Sequence, residues 1–368
     1  MKRLAVLLAC ILVPVLTMPA HSKAQTHKPP APKAHKWAVV LHGGAGVIER
    51  SSMTPQIEKQ YRDGLRQAIT AAGAVLNKGG SSLDAVQAAI EVLEDNPLFN
   101  AGRGSVFAAN GTNQMDAAIM DGATMKAGAV ADVQHTRHPI ALARAVMEKT
   151  PFVLLSGTGA DAFSVHAGLQ QEPRSYFFTE SRWQALVKEL KKENLPIPPR
   201  PQGVPPPSAS GRAHAQFGDG YIELPDNHNY GTVGVVALDQ HGNVAAGTST
   251  GGLTAKRWDR IGDSPLIGAG TYASNQSCAV SGTGTGEYFI RYTVARTVCA
   301  LVQYKHMRLQ AAADQVIQKQ LAPIHGDGGV IAISPDGQTA WSFNTPGMFR
   351  AKLRQGGKVQ IGIYKDEP

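Results

Sequence analysis

An α+β fold built on antiparallel sheets is predicted by three observations. Short apolar segments and helical periodicities fall in separate blocks instead of alternating strictly, which argues against a parallel doubly wound sheet. Tight-turn signals at Asn110-Gly111, Asp121-Gly122, His241-Gly242 and Pro335-Asp336-Gly337 separate several of the apolar runs, as hairpins require. The length, 368 residues, allows about one to two domains with a substantial core.

Trp37 to Leu41 is a short apolar strand that ends in His42-Gly43-Gly44-Ala45-Gly46. Thr54-Pro55 offers a cap and a first-turn proline for a helix to about Asn77, and Ser82 starts a second, to about Glu94, with Ala85, Ala89 and Val92 on one face. Residues 138 to 148 and 179 to 193 read as helices, the latter ending in Lys191-Lys192 as the helix dipole favours. From Leu195 to about Tyr230 periodicity is lost in a run rich in proline, glycine, serine and alanine, the composition of a linker. Beyond it, Thr232 to Leu238 and Asn243 to Thr248 are strands, Gly286 to Tyr304 and Leu309 to Leu321 are helices, and Gly329 to Tyr364 is again strand.

The amino terminus is of another kind. Lys2 and Arg3 precede an apolar run from Leu4 to Leu16, followed by small and polar residues to Ala24, the pattern of a secretory signal cleaved near Ala24. The run is broken by Pro14 and falls short of the ~20 residues a membrane span needs. Leu7-Leu8-Ala9-Cys10 has the local residues of a lipoprotein signal, but the apolar run continues past Cys10. Loss of residues 1 to 24 lowers the formal charge from +8 to +5, and several remaining positive charges sit in a solvated basic tail, residues 25 to 36. No basic helix with interleaved aromatics is present, so nucleic acid is not the expected partner. Two cysteines then remain, Cys278 and Cys299; one disulfide and two buried thiols both fit. No Cys or His spacing resembles a zinc site.

Three elements could carry chemistry. Gly282-Thr283-Gly284-Thr285-Gly286 opens a helix after a strand, yet lacks dinucleotide spacing and the lysine of a phosphate-binding loop. Gly247-Thr248-Ser249-Thr250-Gly251 fits the serine nucleophile elbow and His42-Gly43-Gly44 an oxyanion loop, but no helical pattern follows Gly251. Thr232 is the third. Cleavage between Gly231 and Thr232 would place a new α-amine, with a reference pKa near ~8, beside the hydroxyl of the same residue, so that one residue supplies base and nucleophile.

The company Thr232 keeps is recognisable. Gly231-Thr232-Val233-Gly234, Thr248-Ser249-Thr250-Gly251-Gly252, Arg260-Ile261-Gly262-Asp263-Ser264-Pro265 and Gly282-Thr283-Gly284-Thr285-Gly286-Glu287 together resemble the plant-type asparaginase and isoaspartyl peptidase family of N-terminal-nucleophile hydrolases. His42-Gly43-Gly44-Ala45-Gly46, the run from Leu93 to Gly102, and Met115-Asp116-Ala117-Ala118-Ile119-Met120-Asp121-Gly122 fit the same family. The resemblance implies a single αββα sandwich formed by an α subunit, residues 37 to 231 with the linker at 195 to 230, and a β subunit, residues 232 to 368, released by self-cleavage. It implies that Thr250 bonds the nucleophile, that Thr283 and Gly284 form the oxyanion hole, that Arg260 grips a substrate α-carboxylate, that Asp263 and the Gly286 carbonyl hold the α-ammonium, and that Asn100 also contacts substrate. Main-chain carbonyls of Leu93, Glu94, Asn96, Phe99, Ala101 and Arg103 would hold a structural sodium ion; no catalytic cofactor is implied. The expected substrates are L-asparagine and isoaspartyl dipeptides, the expected assembly a homodimer of αβ units, and the expected location periplasmic or extracellular.

Departures from the family pattern are specific. Gly231 stands where the related glycosylasparaginases carry Asp, Arg103 brings a bulky charge to the cation loop, and Trp258-Asp259 precede Arg260 at the pocket rim. Two other readings are a serine esterase using Ser249 and a non-catalytic amino-acid-binding protein that keeps the Arg260 and Asp263 clamp.

Overall fold

The structure, a computed structural model, describes residues 35–204, 214–217, 220–223 and 231–367. In chain order these form β1 (Ala38–Gly46), α1 (Pro55–Asn77), α2 (Ser82–Glu94), β2 (Met115–Asp121), β3 (Ala127–Val133), α3 (Pro139–Lys149), β4 (Leu154–Ser156), α4 (Gly157–His166), α5 (Arg174–Phe177) and α6 (Glu180–Lys192). There follow β5 (His214–Phe217), β6 (Gly220–Glu223), β7 (Val233–Leu238), β8 (Val244–Thr250), β9 (Thr271–Ala273), β10 (Ala279–Gly284), α7 (Gly286–Arg291), α8 (Val294–Lys305), α9 (Leu309–Asp314), β11 (Gly328–Ile333), β12 (Thr339–Phe343), β13 (Gly347–Arg354) and β14 (Gln360–Tyr364). The signal at 1 to 24 and most of the basic tail lie outside the described residues, as does much of the linker.

Two sheets carry the fold. One has eight strands in the order β14-β13-β1-β7-β8-β2-β3-β4, the other four in the order β12-β11-β10-β9. Their pairings are antiparallel except for β3 with β4. Side chains alternate across a strand, and the two faces of the large sheet bury different partners. Val39, Leu41, Val233, Val235 and Ala237 face α1, α2 and α3 in one core; Ala38, Val40, Val236 and Leu238 join β10, β11, α8 and α9 in the other. The layers are therefore helix, sheet, sheet, helix, as expected of an αββα sandwich.

Local signals explain the helix ends. Thr54 caps α1 through Ile57 N with Pro55 in the first turn, and Ser81 with Asp84 closes a capping box on α2. Four expectations are corrected. The first strand does not stop at Leu41 but runs to Gly46 across a bulge between His42 and Gly44, because backbone pairing with β13 persists where side chains do not. The helix expected from Gly286 to Tyr304 is broken at Thr293, whose φ of 44° is left-handed, and α9 ends at Asp314 and continues as a π-type turn, Gln315–Leu321. The Asn110-Gly111 turn joins irregular segments, not strands, whereas Asp121-Gly122 does join β2 to β3. Within the linker, β5 and β6 form an antiparallel hairpin that its composition did not announce.

Cys278 and Cys299 are paired in a disulfide that ties the residue before β10 to α8 across 21 residues of sequence, which resolves the two alternatives left open by the sequence. A loop of that size is restrained by about 3 kcal/mol in the unfolded chain. Reductant is expected to lower the thermal midpoint of the native protein by several degrees and to leave a Cys278→Ala/Cys299→Ala variant unmoved; equal shifts in both would show that the pair contributes nothing.

Candidate active site

Antiparallel pairing of β7 with β8 sets Val233 opposite Ser249 and Gly234 opposite Thr248. One step further, the same register brings Thr232 to Thr250, and the Thr232 hydroxyl donates to Thr250 Oγ1 at 3.1 Å. Period-two alternation puts Thr248 and Thr250 on the inter-sheet face and Ser249 on the helix face. Ser249 is fully buried there and donates to Glu94 Oε1 at 2.6 Å. β8 also ends without a helix, so the nucleophile-elbow reading of Ser249 has neither access nor context. Burial pushes the Glu94 carboxyl up to about 8, against opposing contributions from His138, Ser249 and the Ile140 amide; this acid belongs to the helix-side core.

Thr232 and Thr250 open onto a cleft lined also by Gly231, Leu253, Arg260, Asp263, Thr283 and Gly284. Thr283 Oγ1 accepts from Ala45 N at 3.3 Å, which ties β10 to the bulged end of β1. Gly44 lies at the Gly231–Thr232 peptide: a Cβ there would stand 2.5 Å from Gly231 Cα, and its φ of 112° already favours glycine. Arg260 forms a two-point ion pair with Glu287, Nε to Oε1 and Nη2 to Oε2 both at 2.9 Å. Asp263 is buried, one carboxylate oxygen lacks a protein partner among the described residues, and its carboxyl is pushed up to about 7, mainly by burial, with Glu287 and Asp116 adding to the rise and Arg260 opposing it. A Cβ at Gly286 would come within 2.7 Å of Arg260 Nη2 and 3.0 Å of Asp263 Oδ1, so only glycine leaves room between them.

Asn100 stands apart from this set. It is not among the residues lining the cleft: its Nδ2 donates to Gly252 O at 2.8 Å, its Oδ1 accepts from Val106 N at 3.0 Å, and its carbonyl accepts from Gly251 N at 3.1 Å. With both ends of its amide engaged, Asn100 fixes the chain leaving β8 beside Thr250. In the loop after α2, Gly102 has φ 50°, and Cβ atoms at Gly102 and Gly104 would lie 2.4 Å from Glu94 O and 2.0 Å from Phe99 O. The turn is therefore a close cradle of main-chain oxygens, a donor type suited to a hard cation. Arg103 holds its guanidinium 5.4 Å from the Tyr176 ring centroid. No cluster of three or more His, Cys, Asp or Glu side chains suited to a metal occurs among the described residues.

Sequence reasoning missed what lies beneath Thr232. His42 Nδ1 donates to Thr232 O at 2.9 Å, which makes Nε2 the acceptor for Ser281 Oγ at 3.0 Å. Ser281 then accepts from Thr248 at 2.7 Å, and Thr248 from Thr271 at 2.6 Å. Burial drives the imidazole down to about 3, partly offset by the Thr232 carbonyl, so the ring is neutral and the hydroxyl protons all point toward it. A Cβ at Gly234 would strike Ser281 Oγ at 1.9 Å. The sequence signal was the presence of His42, Gly234 and Thr248 in the motifs, with nothing to pair them.

A model of the asparaginase family matches residues 35–363. The chain belongs to the asparaginase family. It is thus an enzyme, a hydrolase of the N-terminal-nucleophile type, and its αββα layers are those of that class. This asparaginase-family chain is 41% identical over 332 residues to the isoaspartyl peptidase of Salmonella typhimurium, covering 90% of this chain and 100% of that protein. It is 42% identical over 332 residues to the isoaspartyl peptidase of Escherichia coli, covering 90% and 97%. It is also 39% identical over 320 residues to a plant-type L-asparaginase of Pyrococcus abyssi, covering 87% and 97%.

In the Thr232→Ala background, Ser281→Ala is expected to cost about 1–3 kcal/mol in denaturant titrations, because it leaves the buried His42 Nε2 unpaired. No loss of stability would mean that the hydroxyl chain is not formed.

Proposed function

We propose that the chain is a self-activating amidohydrolase that cleaves the β-aspartyl bond of isoaspartyl dipeptides and the side-chain amide of L-asparagine, releasing L-aspartate. The observation that carries this reading is Thr232 at the head of β7, its hydroxyl on Thr250 and its cleft shared with Arg260 and Asp263. The names of the relatives support it.

In the first reaction Thr232 Oγ adds to the Gly231 carbonyl, the peptide nitrogen leaves protonated as the α-amine of Thr232, and water hydrolyses the resulting ester. Two chains result, ending at Gly231 and beginning at Thr232. In the second, the free amine takes the Thr232 hydroxyl proton as Oγ adds to the substrate amide carbonyl. Donors at Thr283 and Gly284 stabilise the oxyanion, a contribution of ~10²–10³ in rate per donor. The amine returns its proton to the leaving nitrogen, ammonia or an amino acid departs, and water cleaves the β-aspartyl ester. Arg260 holds the α-carboxylate by a planar fork, and Asp263 holds the α-ammonium. Glu287 occupies Arg260 until a substrate carboxylate competes for it.

Main-chain oxygens of Leu93, Glu94, Asn96, Phe99, Ala101 and Arg103 would hold a sodium ion that stiffens the loop carrying Asn100. Residues 1 to 24 would direct export to the periplasm or beyond, in keeping with the disulfide. The assembly is taken to be a dimer of αβ units. No helix among the described residues is long and apolar enough to cross a membrane.

Intact-mass analysis tests the proposal: two chains, one starting at Thr232, should replace the full-length species, and Thr232→Ala should stay whole and release no ammonia from L-asparagine. A fully active uncut chain would refute it. The pH dependence gives a second check. Substrate ammonium needs Asp263 ionised, so kcat/KM should rise as pH increases through about 7. Glu287→Gln removes a negative charge that raises the Asp263 pKa and frees Arg260, which lowers it; the acid limb should move down by about half a pH unit or more. An unmoved limb would assign it to another group.

A further inference from the structure

Two hollows meet at Gly284. One is the cleft that holds Thr232, Arg260 and Asp263. The other, open to solvent and about 90 Å³ in volume, lies between Ala45, Gly46 and Val47 on one side and residues 344–346 on the other, with Asp327 among its lining residues.

The path into it starts at the amine of the nucleophile. A Cβ at Gly44 would stand 3.3 Å from Thr232 N, and the next three residues of the same strand end line the second hollow. In the amide cleavage proposed above, the attacked carbonyl carbon carries an oxygen, a carbon that leads to the α-groups, and the leaving nitrogen. Thr283 and Gly284 receive the oxygen, and Arg260 with Asp263 receives the α-groups. The leaving nitrogen must take its proton from the Thr232 amine, so it departs on the Gly44 side, toward Ala45, Gly46 and Val47.

The lining has a definite chemistry. Asn344 is spent on the Gly328 amide and the Gly326 carbonyl, at 2.8 and 3.0 Å, and Thr345 donates to Gly347 O at 2.9 Å. What remains for a ligand is the apolar surface of the half-exposed Val47 and of Pro346, with the exposed Asp327 carboxylate beside them. We propose that this hollow is the subsite for the leaving residue of a β-aspartyl dipeptide, and that it accepts an apolar or basic side chain and disfavours an acidic one. The inference rests on the amidohydrolase reading and adds to it the discrimination among dipeptides. L-Asparagine, whose leaving group is ammonia, does not reach the hollow.

The test compares kcat/KM for β-aspartyl-leucine, β-aspartyl-lysine, β-aspartyl-glutamate and L-asparagine in the matured protein, in Val47→Trp and in Asp327→Asn. Filling the hollow with Val47→Trp should lower the ratio of β-aspartyl-leucine to L-asparagine by about tenfold or more. Asp327→Asn should raise the ratio of the glutamate to the lysine dipeptide by about two- to fivefold, as expected for removing one exposed like charge. Both ratios unchanged, or L-asparagine slowed by Val47→Trp as much as the dipeptides, would overturn the subsite. Native protein that turns over L-asparagine but no dipeptide would also overturn it while leaving the hydrolase reading intact; native protein that turns over none of the four would refute the hydrolase reading itself.

Discussion

The register between β7 and β8 is the constraint from which the site follows. With Val233 set against Ser249, the residue before β7 and the last residue of β8 face each other on the inter-sheet side. A slip of β8 by one residue would turn Thr250 toward the helices and put Ser249 in the cleft, out of step with Thr232. The register is held by burial on both faces, Val235 and Ala237 against the helices and Val236 and Leu238 against the second sheet. The placement of Thr232 therefore depends on packing over the whole strand, far beyond its own contacts.

Behind Thr232, the space between the sheets is filled by polar groups that satisfy one another. His42, Ser281, Thr248 and Thr271 are fully buried, and each unpaired member would cost about 1–3 kcal/mol. Because a carbonyl can only accept, Thr232 O sets the imidazole tautomer, and the tautomer sets the direction of each hydroxyl behind it. The order runs from Thr232 outward to the strands that carry Thr250 and Thr283. Gly44 and Gly234 are the positions where a side chain would break it, one at the Gly231–Thr232 peptide and one against Ser281.

Charge is distributed unevenly across the cleft. Asp263 is buried with a pKa near the middle of the physiological range, while its neighbour Arg260 is turned to the half-exposed Glu287. A ligand that brings both a carboxylate and an ammonium offers each group its opposite, whereas a ligand with only one satisfies half the arrangement. On the other side of the large sheet, Glu94 and Ser249 form a separate buried pair, and Arg182 donates to the carbonyls of Gly104 and Leu98 around the loop that follows α2. These groups shape the framework without opening onto the cleft.

Much was fixed by the sequence alone. Caps at Thr54 and Ser81, the turn at Asp121-Gly122 and the segregation of strand and helix blocks are local properties, because propensity and capping act within a few residues. So is the pairing of a bare glycine with a following threonine at position 232, which chemistry singles out without any contact. Tertiary structure decided the rest. Which of Thr248, Ser249 and Thr250 faces the cleft depends on strand register; the break at Thr293, the extension of β1 through its glycines and the joining of Cys278 to Cys299 depend on neighbours distant in sequence. Asn100 was legible as a motif residue, but only the fold turned its amide onto Gly252 and Val106 in place of the cleft. His42 and Ser281 lie 239 positions apart, and no local pattern can encode a hydrogen bond across that distance until two sheets have packed.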